Sequence, residues 1–154
     1  MKRVLDVCCG GRMFYFDKQH PDVVFADIRR ETGLLTNGQR LTVAPEVLAD
    51  FRALPFADGQ FRVVVFDPPH LTHSSATCDM TRKYGRLDKA TWPDDLRRGF
   101  AECFRVLLPD GVLIFKWCEQ DIPVAKVLAL TDRRPLLGHR SGKAHKTHWI
   151  IFLK

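Results

Sequence analysis

Four aspartates stand where short apolar runs end: Asp6 in "RVLDVC", Asp27 in "DVVFADI", Asp50 closing "EVLAD", and Asp67 directly after "RVVVF". Pro68, Pro69 and His70 follow the last of them. An ionised carboxylate only accepts hydrogen bonds, so acids in these positions suit the hydroxyl or amine groups of a bound molecule. The prolines fix φ and cannot donate from their nitrogens, which makes the turn after Asp67 stiff. Asp27 ends the second run about twenty residues after Asp6, a placement that suits the two hydroxyls of a ribose. Each acid alone reads as a turn cap or a solvent-facing loop residue. Four at successive run ends point to one shared rim.

The totals narrow the classes. The chain has 154 residues and 45% hydrophobic content, which suits one domain spanning 1–154 with a single core. No apolar run approaches ~18 residues, so no membrane partner is expected. Asp6 interrupts the first apolar stretch too early for a signal peptide, and a cytoplasmic protein is expected. The five cysteines are odd in number and lack framework spacing, which argues against a secreted disulfide scaffold. His70-x-x-His73 and His145-x-x-His148 have no Cys or carboxylate at ligand spacing, so no metal is expected. The formal net charge of +6 favours a polyanionic partner.

The elements that must position the acids follow from periodicity. Strands are expected at 3–8, 22–28, 46–50, 62–66, 112–117 and 148–153, as continuous β-branched or apolar runs of the kind covered on both faces. From Pro93 to Leu108, Leu96, Phe100, Cys103, Phe104 and Leu107 mark one face of a helix. Pro93, Asp94 and Asp95 suit its start, and Pro109-Asp110-Gly111 its stop. A second helix is expected from Asp121 and a short one between Gly10 and the second strand. Residues 29–45 are ambiguous by period, and "LLTNGQRLTV" is compatible with a small hairpin about Asn37-Gly38. The sum is an α/β fold: a single Rossmann-like, doubly wound, mostly parallel sheet of about six to seven strands with helices on both faces. Ligands of such sheets sit beyond the carboxyl ends of the strands.

The segments "VLDVCCGG", "ADFRALPFADGQFRVVVFDPP" and "ECFRVLLPDGVLIF" resemble the class I S-adenosylmethionine-dependent methyltransferases. Within that group the chain is most similar to amino-methylating nucleic-acid enzymes with a D/N/S-P-P-aromatic motif. The resemblance covers nearly the whole chain and implies a cofactor-binding half at 1–60 and a catalytic half at 61–154. It implies S-adenosyl-L-methionine as cofactor and S-adenosyl-L-homocysteine as product. By the resemblance, Asp6, Cys8, Gly10, Asp27, Ile28, Asp50, Phe51 and Asp67 bind the cofactor, and Asp67, Pro68, Pro69 and His70 form the catalytic motif. Arg12 stands where the family often has a further glycine, and His70 where it has Tyr, Phe or Trp. The run "CGGRMF" fails the G-x-G-x-x-G dinucleotide fingerprint, and no G-x-x-x-x-G-K-[ST] loop exists. A sulfonium cofactor without phosphate fits both absences.

An exocyclic base amine is a poor nucleophile until it pyramidalises. The Asp67 carboxylate and the Pro68 carbonyl could accept its two hydrogens, and His70 either stacks on the base or hydrogen-bonds to the loop. A duplex hides such amines, so the target must be single-stranded or flipped out. The 70–92 segment reads as a long loop in which Arg82, Lys83, Tyr84 and Arg86 could track a strand, or as a solvated lid. A second basic run, from Arg133 and Arg134 to Arg140, Lys143 and Lys146, could contact phosphate or simply connect two strands. Met13-Phe14-Tyr15-Phe16 reads as pocket wall or as core. The expected activity is methylation of the N6 amine of adenine in nucleic acid. DNA is favoured over RNA because D-P-P is the commoner motif among DNA adenine enzymes. An RNA methyltransferase, a small-molecule methyltransferase and a catalytically idle binding module are the rivals. No separate target-recognition domain is expected, so the chain would either recognise little sequence or borrow recognition from a second copy, as a homodimer, or from a specificity partner.

Overall fold

The computed structural model describes residues 1–154. Along the chain run β1 (Val4–Asp6), β2 (Val23–Asp27), β3 (Glu31–Leu34), β4 (Arg40–Val43), β5 (Val47–Leu48) and β6 (Phe61–Phe66). Then come α1 (Asp79–Tyr84), α2 (Trp92–Val106), β7 (Leu107–Cys118), α3 (Val124–Leu128), β8 (Leu137–Ser141) and β9 (Thr147–Leu153). The valine run Val63–Val65 lies mid-sheet, in β6, parallel to β1 on one side and β7 on the other. The seven-stranded order is β5-β2-β1-β6-β7-β9-β8, with β9 antiparallel to both its neighbours. Winding reverses between β1 and β6. Their carboxyl ends therefore open on one crevice, where open α/β sheets hold ligands.

Alternation along the strands builds the main core. Val64 and Phe66, then Leu113, Phe115 and Trp117, then Phe152 point to one face and bury against Leu96, Phe100, Cys103 and Phe104 of α2. Phe100 is its hub, with ring centroids 5.4 Å from Phe66, 4.9 Å from Phe115 and 6.1 Å from Phe152. Each such buried side chain contributes roughly 1.5–3 kcal/mol over its exposed state. Pro93 and the first-turn acids start α2 as its sequence implies, and the Thr91 hydroxyl donates to Asp95 at 2.8 Å. The Pro109-Asp110-Gly111 stop does end the helix. It then lies inside β7, where the register against β6 shifts and Asp110 takes a φ of 62°.

The fold class is the expected one; the covering of the second face is not. The helix expected between Gly10 and β2 is replaced by turns. Gly10 and Arg12 both take positive φ, 48° and 56°, which no right-handed helix accommodates. Asp17 closes a further turn by accepting from the Gln19 amide at 2.8 Å. This turn segment still buries apolar surface: Tyr15 packs edge-on to Phe25 at 4.8 Å, beside Cys9 and Val23. That side of the sheet is thus roofed by turns, while α2 and α3 share the opposite core.

Three other expectations are refined. Residues 29–45 do form a hairpin, β3 against β4, with Gly38 at φ 79° and a small core of Leu35, Leu41 and Val43. The 70–92 segment is not all loop, because it contains α1. The basic connection before β9 contains β8, an edge strand with four of five residues exposed. It has no apolar alternation to announce it, and its pairing with β9 alone makes it a strand. We expect Phe100→Ala to cost about 3–5 kcal/mol, the range for emptying an aromatic site in a packed core. The urea midpoint of the variant against that of the parent measures it.

Candidate functional site

The crevice at the carboxyl ends of β1, β2 and β6 is a cleft of about 450 Å³. Asp27 enters it at the end of β2. Its Oδ2 accepts from the Gly10 amide at 2.9 Å and its Oδ1 from the Arg29 amide at 3.0 Å. A carboxylate offers about four lone-pair sites, so two acceptor positions stay open to a diol. Ile28, 60% exposed although apolar, lines the cleft beside it, with Ala49 and Phe51 across. That apolar group next to an acid fits an adenosine: the ring between Ile28 and Phe51, the hydroxyls on Asp27. Cys8 and Gly10 form the floor. Burial pushes the Cys8 thiol well above its ordinary value, so it stays protonated and inert.

Asp67 follows the last residue of β6 and faces the same cleft. Burial pushes its carboxyl up to about 6, and Lys116 opposes that shift from 3.5 Å. Pro69 lines the cleft as well. Gly85 suits this place, since its φ is 76° and a Cβ would press on the Pro69 ring at 3.1 Å. Lys116 is a residue that the reading of the sequence missed. The signal was a lone cation in the apolar run "VLIFKW"; alternation puts it on the face opposite Phe115 and Trp117. Its ammonium also lies 4.7 Å from the Phe14 ring centre and 5.7 Å from that of Trp149.

Other expected site residues lie elsewhere. Asp6 is 1% exposed and does not line the cleft; its Oδ1 accepts from the Cys8 amide at 3.2 Å, so it shapes the loop from behind. Asp50 is held by the Arg52 guanidinium at 2.6 Å, which also reaches Asp95 at 3.0 Å. Among the residues from 49 to 51, Ala49 and Phe51 reach the cleft and Asp50 does not. Pro68 is buried behind the turn. His70 points away to Trp117, at 6.3 Å between ring centres, and Tyr84, at 6.4 Å. Burial, then Lys116, pull its imidazole below its usual range, so it is neutral at pH 7. The aromatic rings that do line the cleft besides Phe51 are Phe14 and Tyr84. Of the four aromatic or apolar residues from Met13 to Phe16, Met13 and Phe14 are wall, Tyr15 is core and Phe16 is fully exposed.

The segment carrying α1 crosses the mouth of the cleft. Lys83, Tyr84 and Arg86 line the cleft, whereas Arg82 turns outward to Glu31 at 3.4 Å and the Leu34 carbonyl at 2.6 Å. Arg29 donates to the Arg82 and Lys83 carbonyls at 2.7 and 3.2 Å. The Thr36 amide donates to Asp79 at 3.1 Å. Arg12 answers for the missing glycine: it adopts the left-handed backbone and ties the loop down, donating to the Lys18 and Ala44 carbonyls at 2.6 Å each.

With this geometry in hand, solved structures offer a comparison. The chain is similar to a protein of Pyrococcus horikoshii, with TM-score 0.63 and 17% identity over 98% of this chain and 81% of that one. It is similar to a TehB-like SAM-dependent methyltransferase from Corynebacterium glutamicum, with TM-score 0.58 and 14% identity over 99% and 80%. It is also similar to a Burkholderia thailandensis 1,6-didemethyltoxoflavin-N1-methyltransferase crystallised with that substrate and S-adenosylhomocysteine, with TM-score 0.52 and 17% identity over 99% and 70%. No protein-family model and no curated protein matches the sequence. The fold is therefore that of the SAM-dependent methyltransferases, a mostly parallel seven-stranded sheet with helices. No helix is long and apolar enough to cross a membrane.

Burial pushes Asp6 up to about 7 against an ordinary value of 3.8. The folded chain then binds a proton that the unfolded chain has released, so this residue makes stability fall as pH rises from about 4 to 7. We expect Asp6→Asn to flatten that slope, read from urea midpoints between pH 4 and pH 8.

Proposed function

We propose that the chain is an S-adenosyl-L-methionine-dependent methyltransferase acting on the N6 amine of adenine in nucleic acid, with DNA favoured over RNA. The observation that carries the proposal is Asp67 in one cleft with Asp27, largely shielded from solvent, paired to Lys116 and stiffened by two prolines. The donor set fits the cofactor. Asp27 would accept from the ribose hydroxyls, Ile28 and Phe51 would hold the adenine, and Gly10 and Gly11 would leave room for the methionine end. When bound, the cofactor supplies an electrophilic methyl on a sulfonium.

The chain's own residues do the rest. Asp67 accepts a hydrogen of the acceptor amine, which draws the nitrogen toward a pyramidal shape and frees its lone pair, while Pro68, buried behind the turn, stiffens the backbone that carries this carboxylate. Asp67 must be ionised to act this way, and Lys116 favours that state in a site where burial opposes it. Phe14 and Tyr84 are the rings on which a planar acceptor can lie. Lys83 and Arg86 at the mouth suit a phosphodiester backbone. The preference for adenine N6, and for DNA, rests on the likeness of the D-P-P turn to the adenine enzymes.

A second reading is favoured by α1. Its ties to the β3–β4 hairpin make a fixed cover over the cleft, as suits a small heterocycle, and one structural neighbour methylates such a compound. Radiolabelled methyl transfer to single-stranded DNA, duplex DNA, RNA and free nucleosides separates the two. Product only from nucleosides would overturn the nucleic-acid reading.

Two outcomes are expected of the catalytic turn. Asp67→Ala should lower methyl transfer by roughly 10²-fold or more, the scale for removing one preorganised hydrogen-bonding group from a reacting centre. Binding of S-adenosylhomocysteine by calorimetry should change by less than about threefold, since the residue acts on the acceptor. In the parent protein, kcat/KM should climb with pH to a plateau above about 6, where Asp67 becomes ionised. A profile from pH 5 to 8 that stays flat would remove Asp67 from that role.

A further inference from the structure

A second cavity, of about 600 Å³, opens beside the cleft between the 10–19 turns and the β3–β4 hairpin. The two cavities share Gly10, Gly11, Met13 and Lys83 as a common wall. Four cations line the second one: Arg12, Lys18, Arg40 and Lys83. No carboxylate lines it. None of the four forms an ion pair, whereas Arg29, Arg52, Arg82 and Arg105, in or near the other surfaces, are each matched to an acid. Arg12 is held against the Phe25 ring at 3.9 Å and by two backbone carbonyls, so it fixes the wall. Lys18 and Arg40 are exposed and have no side-chain hydrogen-bond partner.

We infer that this cavity binds a phosphate group of the methyl acceptor while the acceptor's base occupies the cleft. The inference deepens the reading of the cleft as a nucleotide-methylating site and rests on it. Four cations around a concavity without a counter-charge create a positive potential that a doubly or singly charged phosphate relieves. The volume lies in the range of small-molecule pockets, so a nucleotide unit fits. At Gly10 and Gly11 the shared wall carries no side chain, so the two cavities adjoin there and one acceptor can reach both. The same chemistry arises from a mononucleotide or from the backbone of a polynucleotide, and the experiment separates them.

The test uses the full chain saturated with S-adenosylhomocysteine. Fluorescent single-stranded oligodeoxyadenylate is titrated at several salt concentrations, and adenosine 5′-monophosphate is used as competitor. Lys18→Gln and Arg40→Gln should each weaken oligonucleotide binding by about three- to tenfold at low salt. Each should also lower the slope of log K against log salt by about 0.7, one phosphate contact on a single strand. Arg62→Glu, an exposed residue at the opposite end of β6, should change either by less than about twofold. Competition by the mononucleotide, weakened by the same Gln variants, identifies a single phosphate as sufficient; no competition identifies the polymer backbone. Binding of oligonucleotide by the Gln variants at parental strength and slope would overturn the inference. So would a loss of S-adenosylhomocysteine affinity in them, which would assign the cations to the cofactor carboxylate, or a parent protein that binds neither probe. The reading of the cleft fails separately: phosphate binding that responds to Lys18 and Arg40, with no methyl transfer to any adenine, keeps the cavity and removes the acceptor.

Discussion

The hydrogen bond from the Gly10 amide to Asp27, at 2.9 Å, joins the loop after β1 to the end of β2. It is made between the amide of half-buried Gly10 and a carboxylate that is 5% exposed, so water competes little for the acceptor. Bonds to an ionised acceptor in such a place are among the stronger ones, roughly 1.5–3 kcal/mol. Its consequence is positional. The loop is drawn across the crevice, the positive φ of Gly10 becomes necessary, and one side of Asp27 is left facing the cleft. Asp6 completes the arrangement from below by holding the Cys8 amide. Two acids at two strand ends therefore have different jobs: one supports backbone, and the other supports backbone and still offers lone pairs.

The same economy of elements explains the rim. Where a helix would cover one face, turns and a hairpin take its place, and neither has a regular backbone ladder to fix its position on the sheet. Side chains supply the fixation instead. Arg12 clamps the loop, Arg29 and Arg82 couple the segment after β2 to α1, and Asp79 couples α1 to the hairpin tip. Arginine suits this because its planar fork reaches several carbonyls at once. Much of the chain's positive charge is spent on internal carbonyls and acids, so the total of +6 overstates what faces a partner. The unmatched cations are the informative ones.

How much of this was legible in the sequence varies with the physics involved. Val63–Val65 and the spacing of Leu96, Phe100, Cys103 and Phe104 carry their structure locally, because period and burial agree. Asn37-Gly38 did the same for the hairpin through backbone preference. The turn segment 7–22 was misread because two residues in the left-handed region, one of them Arg12, decide it, and an arginine does not announce positive φ. β8 was invisible because its strand character comes from its partner. Of the expected site residues, Asp27 of β2 and Asp67 after β6 line the cleft, while Asp50 and His70 turn away from it. Their neighbours explain this. Arg52 stands two residues from Asp50 and captures it. Trp117 and Tyr84 offer His70 an apolar niche. Lys116 went unseen because a single cation in an apolar run becomes meaningful only once strand pairing sets Phe115 beside Phe66.

That pairing also sets the electrostatics on which the chemistry turns. A carboxyl shielded beside apolar walls favours its neutral form, which in the proposed reaction would donate to an amine lone pair and block it. An ammonium 3.5 Å away pulls the other way, and in a site of low effective dielectric such a pair interacts more strongly than at a surface. The balance leaves Asp67 near 6, charged at neutral pH but only by a narrow margin. A carboxylate held so close to neutrality has lost much of its hydration, so its acceptor lone pairs are directed at whatever enters the cleft. Full solvation would have made the acid easier to ionise and weaker as a hydrogen-bond acceptor. Burial without Lys116 would have pushed it further toward the protonated form. The site therefore requires both, and the register between β6 and β7 is what brings them together.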